Sequence, residues 1–205
     1  MADFIVAIDG PAGSGKSSVS IEVARRLGFG YLDTGAGYRA FALWKSLNPD
    51  SGSFPYEIAT DPDAVSVHLD GQDVSEEIRT ERVASLVSSY AQLPEIRSLQ
   101  RTDARARIQS CPEPGIVVEG RDITTVVAPD AQVRVLLTAS EQVRLRRRGL
   151  EGTESAENLV SRDQKDSKVA RFMDAAEGVT VIDTSDLDFE QSVQAVLAEI
   201  ARIRN

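Results

Sequence analysis

The sequence predicts an α/β fold in which a parallel sheet is covered by helices on both faces. Three observations carry this reading. Short apolar runs that read as buried strands alternate with stretches of helical periodicity. The first run ends at a glycine, and a glycine-rich loop then leads into a helical stretch. Segments bearing arginine and carboxylate follow two further strand-like runs, and in parallel sheets ligands gather beyond the strand C-termini. A chain of 205 residues suffices for one such domain with a modest insertion, and not for two large ones.

Phe4-Ile-Val-Ala-Ile-Asp9 is apolar without alternation, as a strand covered on both faces should be. Residues 17–27 place Val19, Val23, Ala24 and Leu27 at helical spacing and stop at Gly28. A short strand precedes Asp33, and residues 35–47 read as helix. Residues 116–119, 133–137 and 179–182 read as further buried strands, and residues 140–150 and 189–203 as helices. Residues 55–111 break the alternation. They hold a strand-turn segment at 68–74 and helical stretches at 81–90 and 94–109, expected as an insertion packed on one edge of the core. Residues 149–166 are polar, with Gly149 and Gly152 near the start; a mobile flap and an inert surface loop both remain open there.

Composition removes several function classes. A net charge of −9 repels nucleic acid and anionic membrane on average. Cys111 is the only cysteine, so no internal disulfide can form and a reducing compartment fits. His68 is the only histidine. It lies in an alternating strand pattern and reads as a surface residue rather than part of a triad or metal site. No apolar run reaches membrane-spanning length, and the first residues lack the order of a secretory signal. A soluble, cytoplasmic protein is expected.

The strongest signal is Gly10-Pro11-Ala12-Gly13-Ser14-Gly15-Lys16-Ser17, with Ser18 following. It matches the phosphate-loop pattern and sits between strand and helix, the context the pattern requires. Glycines let successive N–H groups point at phosphate oxygens, and the following helix adds its positive end. Lys16 can reach the β- and γ-phosphates, and the Ser17 hydroxyl can ligate Mg²⁺. A guanine-reading Asn-Lys-x-Asp segment is missing, which argues against a GTPase switch, and the chain is too short for a large motor ATPase. A small kinase and a nucleotide-gated binding protein remain.

Asp33-Thr34-Gly-Ala-Gly-Tyr38-Arg39 and Glu119-Gly-Arg121-Asp122 both follow strands, so Arg39, Arg121 and Asp122 should converge on the side of Lys16. Arg162-Asp-Gln-Lys-Asp166 adds charge in the polar flap. Together they point to a site that neutralises more negative charge than ATP carries. No obvious general base is present. A hydroxyl acceptor usually needs one, whereas a phosphate monoester is mostly dianionic at neutral pH. A nucleoside monophosphate acceptor is therefore favoured.

At this point the residues resemble the bacterial cytidylate kinase family over nearly the whole chain. The likeness runs through residues 8–17, Leu32-Asp-Thr-Gly-Ala-x-Tyr-Arg39, Val74-Ser-Glu-Glu-Ile-Arg79, Val118-Glu-Gly-Arg-Asp-Ile123, Thr125-Val-Val127 and Arg162-Asp-x-x-Asp-Ser167. It implies phosphoryl transfer from ATP to CMP or dCMP with Mg²⁺ required, by a monomer. The implied fold has a five-stranded parallel core (1–54 and 112–205), an acceptor-binding insert (about 55–111) and a lid (about 149–168). By the same resemblance, the residues of the glycine-rich loop from Gly10 to Ser18 bind ATP. Thr34, Tyr38, Arg39, Arg121 and Asp122 serve the phosphate and ribose of CMP, and Ser88, Arg97 and Asp166 the cytosine. Arg162 reaches from the lid toward the transferring phosphate, so Lys16, Arg121 and Arg162 carry catalysis. A carboxylate suits the cytosine amino group and a guanidinium its acceptors, a match that uracil reverses.

The chain departs from the family pattern at three places. The family usually has a large apolar residue at the position of Gly37, so glycine there should leave space beside the acceptor. It often has an arginine where this chain has Val169, and Lys168 and Arg171 are the candidates to compensate. The segment between Arg148 and Arg162 is short. A related kinase of UMP or of a hydroxyl acceptor, and a binding module that never turns over, remain as rivals.

Overall fold

The computed structural model describes residues 2–151 and 175–204. Strand β1 (Phe4–Asp9) lies at the centre of a five-stranded sheet, between β6 (Gly115–Gly120) and β7 (Val133–Thr138). Being paired on both edges and covered on both faces, it keeps no polar side chain until Asp9. β2 (Gly30–Asp33) and β8 (Thr180–Asp183) complete the order β2-β6-β1-β7-β8, with every pair parallel. The register puts Asp9 opposite Gly120 and Leu136, and Asp33 opposite Glu119. The C-terminal ends of β1, β2 and β6 therefore finish level, and the loops that follow them meet.

Helix α1 (Lys16–Leu27) buries Val19, Val23 and Ala24 and ends at Gly28, whose φ of 62° supplies the left-handed turn. It packs on one sheet face beside the last helix, α6 (Phe189–Arg204), which buries Val193, Val196 and Ile200. α2 (Thr34–Leu47) covers the other face. The Asp33 carboxylate caps it by accepting from the Ala36 N–H at 3.0 Å. α5 (Glu141–Glu151) follows β7. The helices and core strands lie within a residue or two of the sequence-based boundaries.

The insert brings strands β3 (Tyr56–Ile58), β4 (Val67–Leu69) and β5 (Gln72–Asp73), then α3 (Glu81–Tyr90) and α4 (Pro94–Ser110). β4 and β5 form the expected hairpin, turned by Asp70 (φ 49°) and Gly71 (φ 75°). β3 was not foreseen: three residues are too few for alternation to show. The insert packs against α2, and its Thr60 carbonyl oxygen accepts from the Tyr31 N–H of the edge strand β2 at 2.8 Å. Ile58, Val67, Leu69, Ile78, Val83, Ala104 and Ile108 join Ala36, Ala40, Leu43 and the sheet residues Val118 and Ile116 in one apolar cluster. His68 stands half-buried on β4, and Cys111 is buried.

Candidate active site

The glycine-rich loop begins where β1 ends, and its shape depends on close backbone approach. A Cβ at Gly10 would strike the carbonyl oxygen of Leu137 on β7, and one at Gly13 (φ 78°) would lie 2.8 Å from the Arg144 carbonyl oxygen. Gly15 caps α1 in the left-handed conformation (φ 87°). Two arginines of α5 hold the loop's carbonyl side. Arg144 donates to the Ala12 oxygen at 3.1 Å, and Arg147 reaches the Gly13 and Ser14 oxygens at 3.5 and 3.4 Å. Arg147 also donates to the Thr184 oxygen at 2.9 Å, while the Thr184 hydroxyl donates to the Ser14 oxygen at 3.2 Å. With its carbonyls engaged behind, the loop is free to offer N–H groups in front, where an anion would sit. The buried Ser14 hydroxyl has no hydrogen-bond partner, and Ser18 is exposed on the first turn of α1. Neither Arg144 nor Arg147 was foreseen, because the periodicity of residues 140–150 marks only a helix.

Glu119, at the end of β6, is the hub of this end of the sheet. Its side chain is 2% exposed. It accepts from the Ser17 hydroxyl at 2.6 Å and from the Tyr31 hydroxyl at 3.3 Å, and lies 3.5 Å from the Lys16 ammonium. Burial and the negative charge of Glu119 push the Tyr31 phenol far above its ordinary range, which keeps it protonated as a donor. Thr34 donates its hydroxyl proton to the Glu119 backbone oxygen at 2.9 Å, locking the start of α2 to β6. Asp9 plays a parallel part. Its carboxylate accepts from the N–H groups of Ile123 and Thr124 and from the Thr124 hydroxyl, at 2.8, 2.9 and 2.6 Å. This fixes the π-helical turn Ile123–Val127 beside the phosphate loop. Sequence reading passed over both carboxylates: each lies inside a motif, but only pairing across the sheet shows what it holds.

The residues expected at the acceptor form two ion pairs at the same sheet end. Arg39 donates to Asp33 at 2.6 Å, and Arg97 of α4 donates to Asp122 at 2.6 Å. Arg79, in the 3₁₀ turn Glu77–Arg79 of the insert, comes to 3.9 Å from Asp33. Burial opposes the Asp33 charge, but Arg39, Arg79 and Lys16 outweigh it and hold the carboxyl below its usual range. The Arg39 Nε is buried without a partner among the described residues. Arg121 donates to the Gly10 carbonyl oxygen at 3.0 Å, joining the β6 loop to the phosphate loop. Burial together with the nearby Asp122 charge pushes the Tyr38 phenol up to about 12. Ser88 is half-buried on α3. Lys16, Arg39, Arg121 and Asp122 are thus brought to one end of the sheet, and Arg97 of the insert joins them through Asp122. The space foreseen at Gly37 is not open: the Gln100 side chain of α4 fills it. Arg162, Asp166, Val169 and nearly all of the expected lid lie outside the described residues.

A phosphate loop at the end of the central strand of this sheet, beside a cluster of guanidiniums, defines a P-loop phosphotransferase. The fold is similar to a solved gluconokinase from Sinorhizobium meliloti 1021 (TM-score 0.56, 15% identity, 98% of this chain and 93% of that one). It is also similar to a shikimate kinase from Bacteroides thetaiotaomicron (TM-score 0.53, 18% identity, 97% and 98%). At such identities the likeness concerns the fold alone. The sequence is more telling: the cytidylate kinase family model matches residues 6–202. A cytidylate kinase of Streptomyces avermitilis is 41% identical over 98% of this chain and 94% of its own length. One of Cutibacterium acnes is 43% identical over 95% and 94%. The chain belongs to the cytidylate kinase family, a family of nucleoside monophosphate kinases.

Proposed function

We propose that this chain transfers the γ-phosphoryl group of ATP to CMP or dCMP, giving ADP and CDP or dCDP. The observation that carries the acceptor is the pairing of Arg39 with Asp33 and Arg97 with Asp122, beside Lys16. Arg39 gives one amino nitrogen to Asp33, and its Nε has no partner among the described residues. A guanidinium with five donors can keep its carboxylate and still take a phosphate oxygen. The acceptor phosphate is already dianionic near neutral pH, so positioning and charge neutralisation suffice. Lys16, Arg121 and, from the lid, Arg162 would stabilise the charge on the migrating group. Tyr38 and Asp122 would face the ribose side, and Ser88, Arg97 and Asp166 the base. The support for Arg162, Asp166 and a lid over about 149–168 is the sequence resemblance.

The residues present fit Mg²⁺. The Ser17 hydroxyl beside the Glu119 carboxylate is an oxygen donor set of the kind a hard cation takes, with phosphates and water supplying the rest. When bound, the ion supplies charge neutralisation between phosphates. Among the described residues no helix is long and apolar enough to cross a membrane. Action in the cytoplasm, as a monomer on free nucleotides, is part of the proposal.

The test is an acceptor screen by ADP release, with CMP, dCMP, UMP, AMP and a hydroxyl acceptor each offered with Mg-ATP. CMP and dCMP should lead. Faster turnover of UMP or the hydroxyl compound would overturn the acceptor assignment, and no ADP with any acceptor would favour a binding module.

A further inference from the structure

α4 buries Gln100, Ala104 and Ile108, spaced four residues apart along one face. Two of these belong in an apolar stripe, and the first does not. Gln100 is 6% exposed, and its amide nitrogen donates to the Gly37 carbonyl oxygen of α2 at 3.3 Å. On the same approach its Oε1 occupies the place where any side chain at position 37 would put its Cβ, with the Tyr56 hydroxyl 3.3 Å from that point. The two departures from an ordinary helix contact therefore answer each other. A glycine, unfavourable inside a helix, admits a glutamine that is itself out of place in a core.

The neighbours of the pair give it a function. Tyr38 and Arg39 are the next residues of α2, and Arg97 lies three residues before Gln100 on α4, one helical turn away. We infer that the Gly37–Gln100 contact sets the register of α4 on α2, making Gln100 the positioning residue that holds Arg97 at its working distance from Tyr38 and Arg39 in the acceptor site. An apolar side chain at position 100 would slide along α2 at little cost. An amide bonded to one carbonyl has a preferred register, the best-attested use of a buried polar group. Gln100 itself touches neither the phosphate loop nor the ATP end of the site, so its effect should fall on the acceptor alone.

This inference rests on CMP being the acceptor, and the experiment separates the two. Gln100→Leu keeps the volume and removes the amide; Gly37→Ala drives a methyl into Oε1; Gly37→Ala/Gln100→Ala gives the methyl room. KM for CMP should rise about tenfold or more in both single variants, because displacement of a positioning group by an ångström is that costly. KM for ATP should stay near the parent's. Gln100→Leu and Gly37→Ala should both melt within a few degrees of the parent, because the Oε1 that must shift is the end of a flexible side chain and alanine favours the helix, and the double variant, which has no amide, should keep the raised KM for CMP. An unchanged KM for CMP in Gln100→Leu and Gly37→Ala overturns the inference. So does a parallel rise in both KM values, or a double variant whose KM for CMP returns to the parent's. Absence of CMP turnover in the parent would instead remove the acceptor assignment, and the same KM comparison is then made with the acceptor that does turn over.

Discussion

Replacing Lys16 by methionine separates catalysis from folding. Methionine keeps an unbranched stem and removes the charge. The structural cost follows from what Glu119 keeps: donors from Ser17 at 2.6 Å and Tyr31 at 3.3 Å, against an ammonium at the longer 3.5 Å. A buried carboxylate stripped of all partners would cost about 3–5 kcal/mol. With two hydroxyl donors left, the loss should be nearer about 1 kcal/mol, or about 2–4 °C in melting temperature for a chain of this size. The kinetic cost is larger. A preorganised charge aimed at the transition state is worth about 2.7–4 kcal/mol, or about 10²–10³ in rate. Lys16→Met should therefore unfold within a few degrees of the parent while kcat, measured by ADP release at saturating ATP and CMP, falls at least about a hundredfold. A folded variant with near-parental kcat would refute the reasoning, and one that fails to fold would show that Glu119 depends on Lys16 far more than its geometry implies.

Asp9→Asn replaces one acceptor of a three-bond carboxylate by an amide that must face a backbone N–H. Losing one such bond costs about 1.5–3 kcal/mol, so melting should fall by about 3–12 °C, and a shift under a degree would mean the turn after Asp122 is held otherwise. Asp166→Ala should narrow the ratio of CMP to UMP in kcat/KM if that carboxylate reads the cytosine amino group; an unchanged ratio removes it from the base site. Between α1 and α6, Arg26 and Gln194 hydrogen-bond Glu190 and hold its carboxyl down to about 2 from an ordinary 4.5. A depressed carboxyl stabilises the fold above its unfolded value and loses that contribution as pH falls through the folded one. Glu190→Gln should thus melt slightly below the parent near neutral pH, and the difference should vanish between pH 4.5 and about 2; a constant difference would show that the pair's charge contributes nothing.

Much of this protein is legible from local order alone. The apolar run Phe4–Asp9, the glycines of the loop and Gly28 after Leu27 each act through their own backbone or nearest neighbours. Strand, phosphate loop and helix could therefore be placed without knowing the rest of the chain. The Thr-Gly-Ala-x-Tyr-Arg and Glu-Gly-Arg-Asp segments likewise carried the family, and with it the residues proposed to hold the acceptor.

The rest was decided by pairings between residues far apart in the chain. Glu119 meets Ser17 and Tyr31 only because β6 lies beside both β1 and β2. Arg144 and Arg147 reach the phosphate loop from α5 across more than a hundred residues of sequence, and helical periodicity says nothing of what such a face touches. The insert's place over α2 follows from burying its apolar faces in the cluster that α2 already begins. At Gly37, sequence registered an empty place, whereas packing put Gln100 in it. Local chemistry thus determined which groups the chain carries, while partners and distances were set by the long-range contacts that close the core, because a guanidinium or a carboxylate acquires its role only from the charge it is folded against.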